Sequence, residues 1–457
     1  MSTRMQPGAR VLTTYADFAA DLVAQGIVKD PWVDGVPRFR MTPVLLDRAT
    51  QASLYAAAEG IAAVHDEAAA LCASDAELRR RFFDLPPSYE LMWRMSAPTW
   101  HGLARADVFV TDGGPQVCEL NSDTPSGEPE AVALNHLVDG AGAVAFDDPN
   151  HDLADSVFAM VEALAPRERP LTIGIVYPTE LTEDLSVIEL YARWFEERGA
   201  RVVLGSPFNL RPDGRGGVAL FGVSCGVVWR HYKTDWWGER RAVWRSERAY
   251  ADPHALSGPL ELLAGAIARG HCAVVNPFGA VLTQNKRMMA LFWEELPRFS
   301  SWAQRVVRRY LPYTVRLETL APGRLRAERA HWVLKSDYGC EGEEVVIGAE
   351  VGDAAWARAL EDALPNRWIA QRRFVARANA AGEVANYGVY VVGGRAAGLF
   401  TRLQAGRTDR TAVTAPTIIE RPRIERPRIE RPCIERPRIE RARIDLAGLN
   451  PARARLQ

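Results

Sequence analysis

The amino-acid sequence predicts a chain that combines α/β and α+β regions, and three observations carry that expectation. An Ala- and Leu-rich helical pattern fills the first hundred residues, a strand–helix–strand pattern begins near residue 170, and strand-like segments dominate residues 276–418. The length of 457 residues and a composition of 47% hydrophobic and 25% charged residues imply a globular protein of two or three domains with ample core.

Residues 1–103 form a helical region, carried by ATQASLYAAAEGIAAVHDEAAALCASDAELRRRFFDLP and closed by Pro86 and Pro87. The apolar period changes to two over about 104–122, and residues 104–165 are expected to hold a hairpin followed by helices. Within 166–275, LTIGIVYP, ELYARWFEERG and ARVVLGS read as a β-α-β unit, which requires a parallel sheet. Residues 276–418 read as an α+β region: helix MMALFWEEL, then strands HWVLKSD, EVVIG, WIAQRRF and YGVYVVGGRAAGLFTRL, with helix ALEDALPN among them. From Ile419 to Arg443 the chain repeats five pentads of the form IERPR. Proline at every fifth position of the first four excludes a regular helix, so residues 419–457 are expected to be a solvated, disordered tail.

The net charge of −1 and pI near 6.7 exclude binding of nucleic acid or an anionic membrane through bulk charge. That total hides a net +5 across 419–457 and −6 across the rest. Six scattered cysteines without a C-x-x-C pair fit a reducing compartment, and no stretch approaches 18 apolar residues, so a cytoplasmic protein is expected. Only four lysines occur (Lys29, Lys233, Lys286 and Lys335) against 52 arginines. Arginine holds the generic surface role, which marks each lysine as a candidate for a site needing a compact ammonium.

The segment RADVFVTDGGPQVCELNSDTPSG carries the chemistry. Asp112-Gly113-Gly114 fits a three-residue hairpin loop, which sets Asp107 across from Glu119 and Arg105 across from Asn121 on one sheet face. Ala106, Val108, Cys118 and Leu120 are then expected on the other. Directly opposed carboxylates repel unless a cation lies between them, and hard oxygen donors select Mg²⁺. The alternative on residues alone is a solvated polar face with an Arg/Asp ion pair.

Glu119-Leu120-Asn121 followed by Pro125 and Gly127 resembles the metal-binding E-x-N element of ATP-grasp ligases. Here it precedes the lysine-bearing strands, an order similar to the permuted arrangement of glutathionylspermidine synthetases and their relatives. Further segments resemble that family in register: Arg105-Ala106-Asp107, Asn276-Pro277 through Gln284-Asn285-Lys286, Val333-Leu334-Lys335, the glycine loop Gly339-Cys340-Glu341-Gly342, Trp368 to Gln371, and Gly398 to Arg402. The resemblance covers roughly residues 30–416. It implies an ATP-grasp fold with permuted element order beside a Rossmann-like pre-ATP-grasp β-α-β region.

By the same resemblance Asp107, Glu119 and Asn121 are magnesium ligands, for two ions in the family's pattern, and Arg105 stabilises the transition state. Lys335 holds ATP phosphates, Gln371 lines the adenine pocket and Arg402 lies nearby. Lys286 contacts either phosphate or the carboxylate substrate. Thr124 and Ser126 match positions lining the acid-substrate site, and Glu183-Asp184 resemble an acidic pair that binds a substrate amine, although such a pair at a helix start is also ordinary dipole compensation. The implied activity is an ATP- and Mg²⁺-dependent carboxylate–amine ligase acting on a peptide-like acid and an amine, with a polyamine as a candidate amine. No segment matches the amidase domain of the bifunctional members, so ligation alone is expected. The sequence departs from the family at Cys340, where an arginine is usual, and at Ser336, where a proline is usual.

Competing readings are weaker. Gly222-Val223-Ser224-Cys225-Gly226 fits G-x-S-x-G, but the following VVWRHY reads as a strand where a nucleophile elbow needs a helix. No G-x-x-x-x-G-K-[ST] is present, which excludes a P-loop. A catalytically inactive nucleotide-binding relative is the remaining alternative.

Overall fold

The computed structural model describes residues 14–96, 99–139, 146–166, 170–238, 241–248, 254–339, 344–406 and 411–421. Its longest element is the helix Arg48–Ser74, started by Asp47, whose carboxylate accepts the Thr50 N–H at 2.6 Å. Asp75 ends it and caps the next helix, Ala76–Phe83, by accepting from Leu78 N at 2.9 Å. Leu54, Ala57, Ala58, Ile61 and Ala62 along the long helix are fully buried. They share one core with Ala104, Ala106, Val108, Val117 and Leu120, the inward face of a five-stranded antiparallel sheet. Small residues on both surfaces let the helix lie close to the strands.

That central sheet runs in the order Val413–Ala415, Arg395–Gln404, Val384–Val392, Leu103–Thr111, Gly114–Asn121. The segment YGVYVVGGRAAGLFTRL supplies two of these strands. It turns at Gly393-Gly394, both with positive φ (55° and 81°), which suits a tight hairpin.

The hairpin holding the acidic residues has the expected pairing by a different route. Thr111 pairs with Gly114, so the loop is the two residues Asp112-Gly113, not three. A bulge between the Asp107 and Val108 pairs then adds one residue to the second strand and restores Asp107↔Glu119 and Arg105↔Asn121. One correction follows. Val117 is the buried residue paired with Val108, while Cys118 sits in the bulge, partly exposed and outside the core.

The β-α-β expectation holds. Four parallel strands are ordered Ala273–Val275, Val227–Arg230, Thr172–Val176, Arg201–Gly205, with the helix Leu185–Glu197 crossing between the last two. A second antiparallel sheet is ordered Thr314–Arg316, Trp368–Arg372, Trp332–Ser336, Val345–Ile347. Ser224 lies in the strand Val223–Cys225, antiparallel to Val218–Leu220, and its hydroxyl donates to Asp213 Oδ2 at 2.8 Å. No nucleophile elbow exists there. Four of the six cysteines fall among the described residues with free thiols (Cys72, Cys118, Cys225, Cys272), and among the described residues no helix is long and apolar enough to cross a membrane.

Asn276 joins the parallel sheet to the acidic hairpin. Its side-chain oxygen accepts from Gly102 N (3.0 Å) and Leu103 N (2.8 Å), and its amide donates to Leu103 O (2.7 Å) and Asp123 O (2.8 Å). Beside it the buried Arg230 Nη2 pairs with Asp123 Oδ1 at 2.6 Å, and Asp123 Oδ2 accepts from Thr234 N at 2.8 Å.

Ile419 and Glu420, assigned above to the repeat tail, are strand residues. Thr417–Glu420 lies between Val44–Leu46 and Phe146–Asp147, with Ile419 1% exposed opposite Leu46 and Asp147. Arg421 Nε then donates to Asp147 Oδ1 at 2.6 Å. An apolar residue with sheet partners overrides the compositional pattern it belongs to. The repeats beyond Arg421 lie outside the described residues. Ile419→Ala should lower unfolding free energy by about 2–4 kcal/mol, read by chemical denaturation, whereas a loss within error would place residue 419 outside the core.

Candidate active site

The polar face of the central sheet gathers residues from four strands. Arg105 lies beside Asn121 on one side and Tyr390 on the other, Asp107 lies between Glu119 and Gly388, and Asn386 pairs with Arg402. Glycine at 388 is required by Arg105, because a Cβ there would stand 2.7 Å from Arg105 Cδ. Arg105 therefore lies flat across the neighbouring strand.

Asp107, 2% exposed, is the hub. Arg105 Nε donates to its Oδ1 at 2.8 Å, Arg402 Nη2 to its Oδ2 at 2.9 Å, and Asn386 Nδ2 to Oδ2 at 3.4 Å. Burial alone would raise the Asp107 pKa, but Arg105 and then Arg402 outweigh it and hold the carboxyl below its ordinary value. Burial likewise disfavours the Arg105 charge, and Asp107 reverses that, so the guanidinium is held more basic than usual. Arg105 Nη1 also donates to Ser126 O at 2.7 Å.

Glu119 faces Asp107 from the next strand. Burial and the Asp107 charge both push its pKa up, yet Lys286 above all, with help from Lys335 and Arg105, holds it below the ordinary value. Lys286 Nζ lies 3.5 Å from Glu119 Oε2 and also donates to Gly339 O. Lys335 Nζ donates to Cys118 O at 3.1 Å, so the bulge is where the second sheet's lysine meets the acidic strand. Both lysines are buried, at 5% and 7% exposure. The other two lysines make pairs elsewhere: Lys29 with Glu189, and Lys233 with Asp235 at 3.7 Å.

Lys335 and Gln371 lie on one face of the second sheet, since Lys335 pairs with Ile369 and Val333 with Gln371. The buried Gln371 donates to Thr314 Oγ1 at 3.1 Å. Cys340, Glu341 and Gly342 lie outside the described residues. Ser336, where the family has proline, accepts the Gly339 N–H at 2.9 Å and pairs with Glu344, so it caps the start of that loop.

Thr124 is half-buried just past the acidic strand. The Ser126 side chain is exposed, and its carbonyl is what Arg105 and the Tyr390 hydroxyl hold. Glu183 is exposed in the short turn Thr182–Asp184, and Asp184 Oδ1 lies 3.4 Å from His231 Nε2. Asp184 is thus engaged with His231 and not with Asp107. It sits past the carboxyl end of the strand Thr172–Val176, the edge where open parallel sheets take ligands. A cavity of about 360 Å³ at the hairpin tip, lined by Thr111, Gln116, Phe374 and Arg377 among others, includes none of the expected site residues.

The donor set fits Mg²⁺. Two ionised carboxylates supply hard oxygen donors, and the Asn121 oxygen would complete an all-oxygen set once that amide turns, since its nitrogen now faces Glu119 Oε1 at 3.4 Å. Asp107 and Glu119 would hold the ion with Asn121. Asp123, Arg230, Thr234, Asn386 and Gly388 were not singled out from sequence. Asn386 and Gly388 carry no local signal, because what selects them is Asp107 and Arg105, nearly 280 residues earlier.

One buried acid stands apart. Glu128 opens the helix Glu128–Asp139 and is fully buried, with Tyr191 beside its carboxyl group. Burial pushes its pKa up to about 8 from 4.5. The folded state then keeps a proton that the unfolded chain loses above its ordinary pKa, so this group's contribution lowers stability as pH rises from about 4.5 to about 8. The slope reaches about 1.4 kcal/mol per pH unit. Glu128→Gln should melt higher than wild type at pH 8 and match it near pH 4.5. An identical difference at both pH values would contradict the assignment.

One family model and one structural superposition agree with this architecture. Residues 258–420 match the family model described as glutathionylspermidine synthase preATP-grasp. A glutathione synthetase-like effector from Globodera pallida superposes with a TM-score of 0.55 at 12% identity, covering 88% of this chain and 95% of that one. A candidate gamma-glutamylcysteine synthetase from Methylobacillus flagellatus KT aligns with a TM-score of 0.43 at 15% identity, over 74% of this chain and 84% of that one. A RimK-domain ATP-grasp protein from Sphaerobacter thermophilus DSM 20745 gives 0.28 at 15% identity, over 54% and 89%. A search of curated proteins finds no match. The chain has the ATP-grasp fold, and it resembles the glutathionylspermidine synthetase-like ATP-grasp ligases.

Proposed function

We propose that the protein is an ATP- and Mg²⁺-dependent carboxylate–amine ligase that forms an amide through an acyl phosphate. The observation that carries this reading is the Asp107–Glu119 pair, two ionised carboxylates set face to face beside Asn121 and ringed by Arg105, Arg402, Lys286 and Lys335. A structural ion-pair network has no need of opposed carboxylates. A site that receives Mg²⁺ and ATP phosphates does.

The substrate carboxylate attacks the γ-phosphorus of ATP and releases ADP, and the amine then displaces phosphate from the acyl phosphate. Bound Mg²⁺ supplies charge neutralisation at the phosphates. Arg105 and Arg402 rest on Asp107, already desolvated and oriented, and would turn N–H groups to a transferring phosphoryl group as Asp107 exchanges partners. Lys335 and Lys286 approach the same strand from the second sheet and the adjoining helix, where point charges can follow the phosphates. Gln371, on the same sheet face as Lys335, is the proposed adenine-side residue. The work of these side chains is orientation and electrostatics, and no side-chain nucleophile is required.

The acid is expected to lie along Thr124 and Ser126, and the amine toward Asp184 and Glu183. Glutathione and spermidine are the first acid and amine to test. ADP release should require both an acid and an amine, and Glu119→Ala should lower it roughly 100-fold or more. Lys335→Ala should lower it comparably in protein that circular dichroism shows to be folded. Unchanged ADP release in Glu119→Ala would rule out the metal assignment.

A further inference from the structure

We propose that His231 is the catalytic base of the amide-forming step: it takes a proton from the bound ammonium group and so frees the amine as a nucleophile. The inference rests on the ligase reading above and adds to it a proton acceptor. An alkylamine is almost wholly protonated near neutral pH and then has no lone pair with which to attack an acyl phosphate. Imidazole is the side chain that takes up and releases protons most readily in that range.

His231 continues the strand Val227–Arg230 past its carboxyl end, with its main-chain N–H donating to Val176 O at 2.8 Å. Residues on both sides of it fasten the segment to the acid side of the site. Arg230 pairs with Asp123 Oδ1, and Thr234 donates to Asp123 Oδ2 from its N–H at 2.8 Å and its hydroxyl at 3.0 Å. Asp123 immediately precedes Thr124. Strand alternation turns the imidazole to the face opposite Arg230, the face of Trp229, whose ring lies 4.4 Å from that of Tyr191. Tyr191 in turn lies beside Glu128, two residues past Ser126. His231 is thus bracketed by the segment proposed for the acid and the turn Thr182–Asp184 proposed for the amine.

Asp184 fixes the ring. Its Oδ1 lies 3.4 Å from His231 Nε2, and although Asp184 precedes the helix Leu185–Glu197 its side chain makes no capping hydrogen bond there. Helix capping therefore does not account for where this carboxylate points. A carboxylate at Nε2 favours the tautomer with hydrogen on Nε2 and the lone pair on Nδ1, and it stabilises an imidazolium once one forms. Among the described residues Nδ1 has no hydrogen-bond partner, and the side chain keeps 7% exposure. Glu183, exposed on the same turn, is left to hold the ammonium group.

His231 Nδ1 takes one N–H proton, and the electron pair of that bond stays on the amine nitrogen. That pair forms the C–N bond, the bond from the acyl carbon to the phosphate oxygen breaks, and phosphate leaves with its electrons. A second proton passes from the nitrogen to the departing phosphate, and the imidazolium returns its own to water.

The test compares two nucleophiles, with glutathione as the acid and ADP release measured together with the product. Spermidine is protonated and needs a base, whereas hydroxylamine is already neutral near neutral pH and traps an acyl phosphate as a hydroxamate without one. His231→Gln should slow the spermidine reaction about 100-fold or more and the hydroxylamine reaction less than about threefold. The hydroxylamine rate also reports that the variant is folded and still forms the acyl phosphate. Asp184→Asn, which acts through His231, should lose at least about tenfold with spermidine and little with hydroxylamine. It decides by the same criterion if His231→Gln does not fold. Equal losses with the two nucleophiles, or no loss with spermidine, would overturn the proposal and leave a structural ion pair. A wild type active with hydroxylamine alone would also overturn it, because no protonated amine is then being activated. If wild type releases ADP with neither nucleophile, the ligase reading itself fails, and the proposal with it.

Discussion

Two carboxylates held face to face are the constraint on which the rest of this structure depends. Asp107, which is buried, and Glu119, which is partly exposed, sit opposite each other on adjacent strands where water screens their repulsion only in part. The fold answers from every side. Arg105 comes from the same strand as Asp107, Arg402 from two strands away, Lys286 from a helix start and Lys335 from the second sheet. Each cation is in turn placed by something apolar or main-chain: Gly388 clears the path for Arg105, and the bulge at Cys118 offers the carbonyl that Lys335 holds. The core behind the sheet, built on the Arg48–Ser74 helix, keeps the strands at the spacing this balance needs.

The three larger sheets meet at this point through a few polar residues. Asn276 and the Arg230–Asp123 pair fasten the parallel sheet to the end of the acidic strand, while Lys335 fastens the second antiparallel sheet to its middle. Removing one partner of the fully buried Arg230–Asp123 pair would strand the other charge, a mechanism that typically costs 3–5 kcal/mol. A site assembled this way has rigid ligands and is bordered by segments from different sheets, which suits a reaction in which phosphates, an acid and an amine must converge.

Much of this was legible in the sequence, and the reasons are specific. Period-two alternation placed Arg105, Asp107, Glu119 and Asn121 on one face, and the pairing survived a misjudged loop because the bulge restored the missing residue. The β-α-β pattern was plain because its strands are continuous apolar runs. Lysine scarcity marked all four lysines alike, and the family motifs selected Lys286 and Lys335, the two that prove to be buried near the acidic strand. What stayed hidden was long-range. Asn386, Gly388 and Arg230 look ordinary in sequence, and their roles exist only once distant strands are neighbours. Ile419 was concealed in a repeat whose composition argued for disorder, though its sheet partners lie near residues 46 and 147. Glu128 was invisible for a related cause: an acid at a helix start reads as solvent-exposed, and its burial comes from packing beyond its own helix.

The central claim is that the opposed carboxylates exist to receive a cation together with ATP phosphates. Equilibrium binding of ATP by titration calorimetry, with Mg²⁺ and then with a chelator, tests it most directly. ATP should bind at least about tenfold more tightly with Mg²⁺, since without the ion nothing stands between the phosphates and the like charges of Asp107 and Glu119. Equal affinity under the two conditions would contradict it.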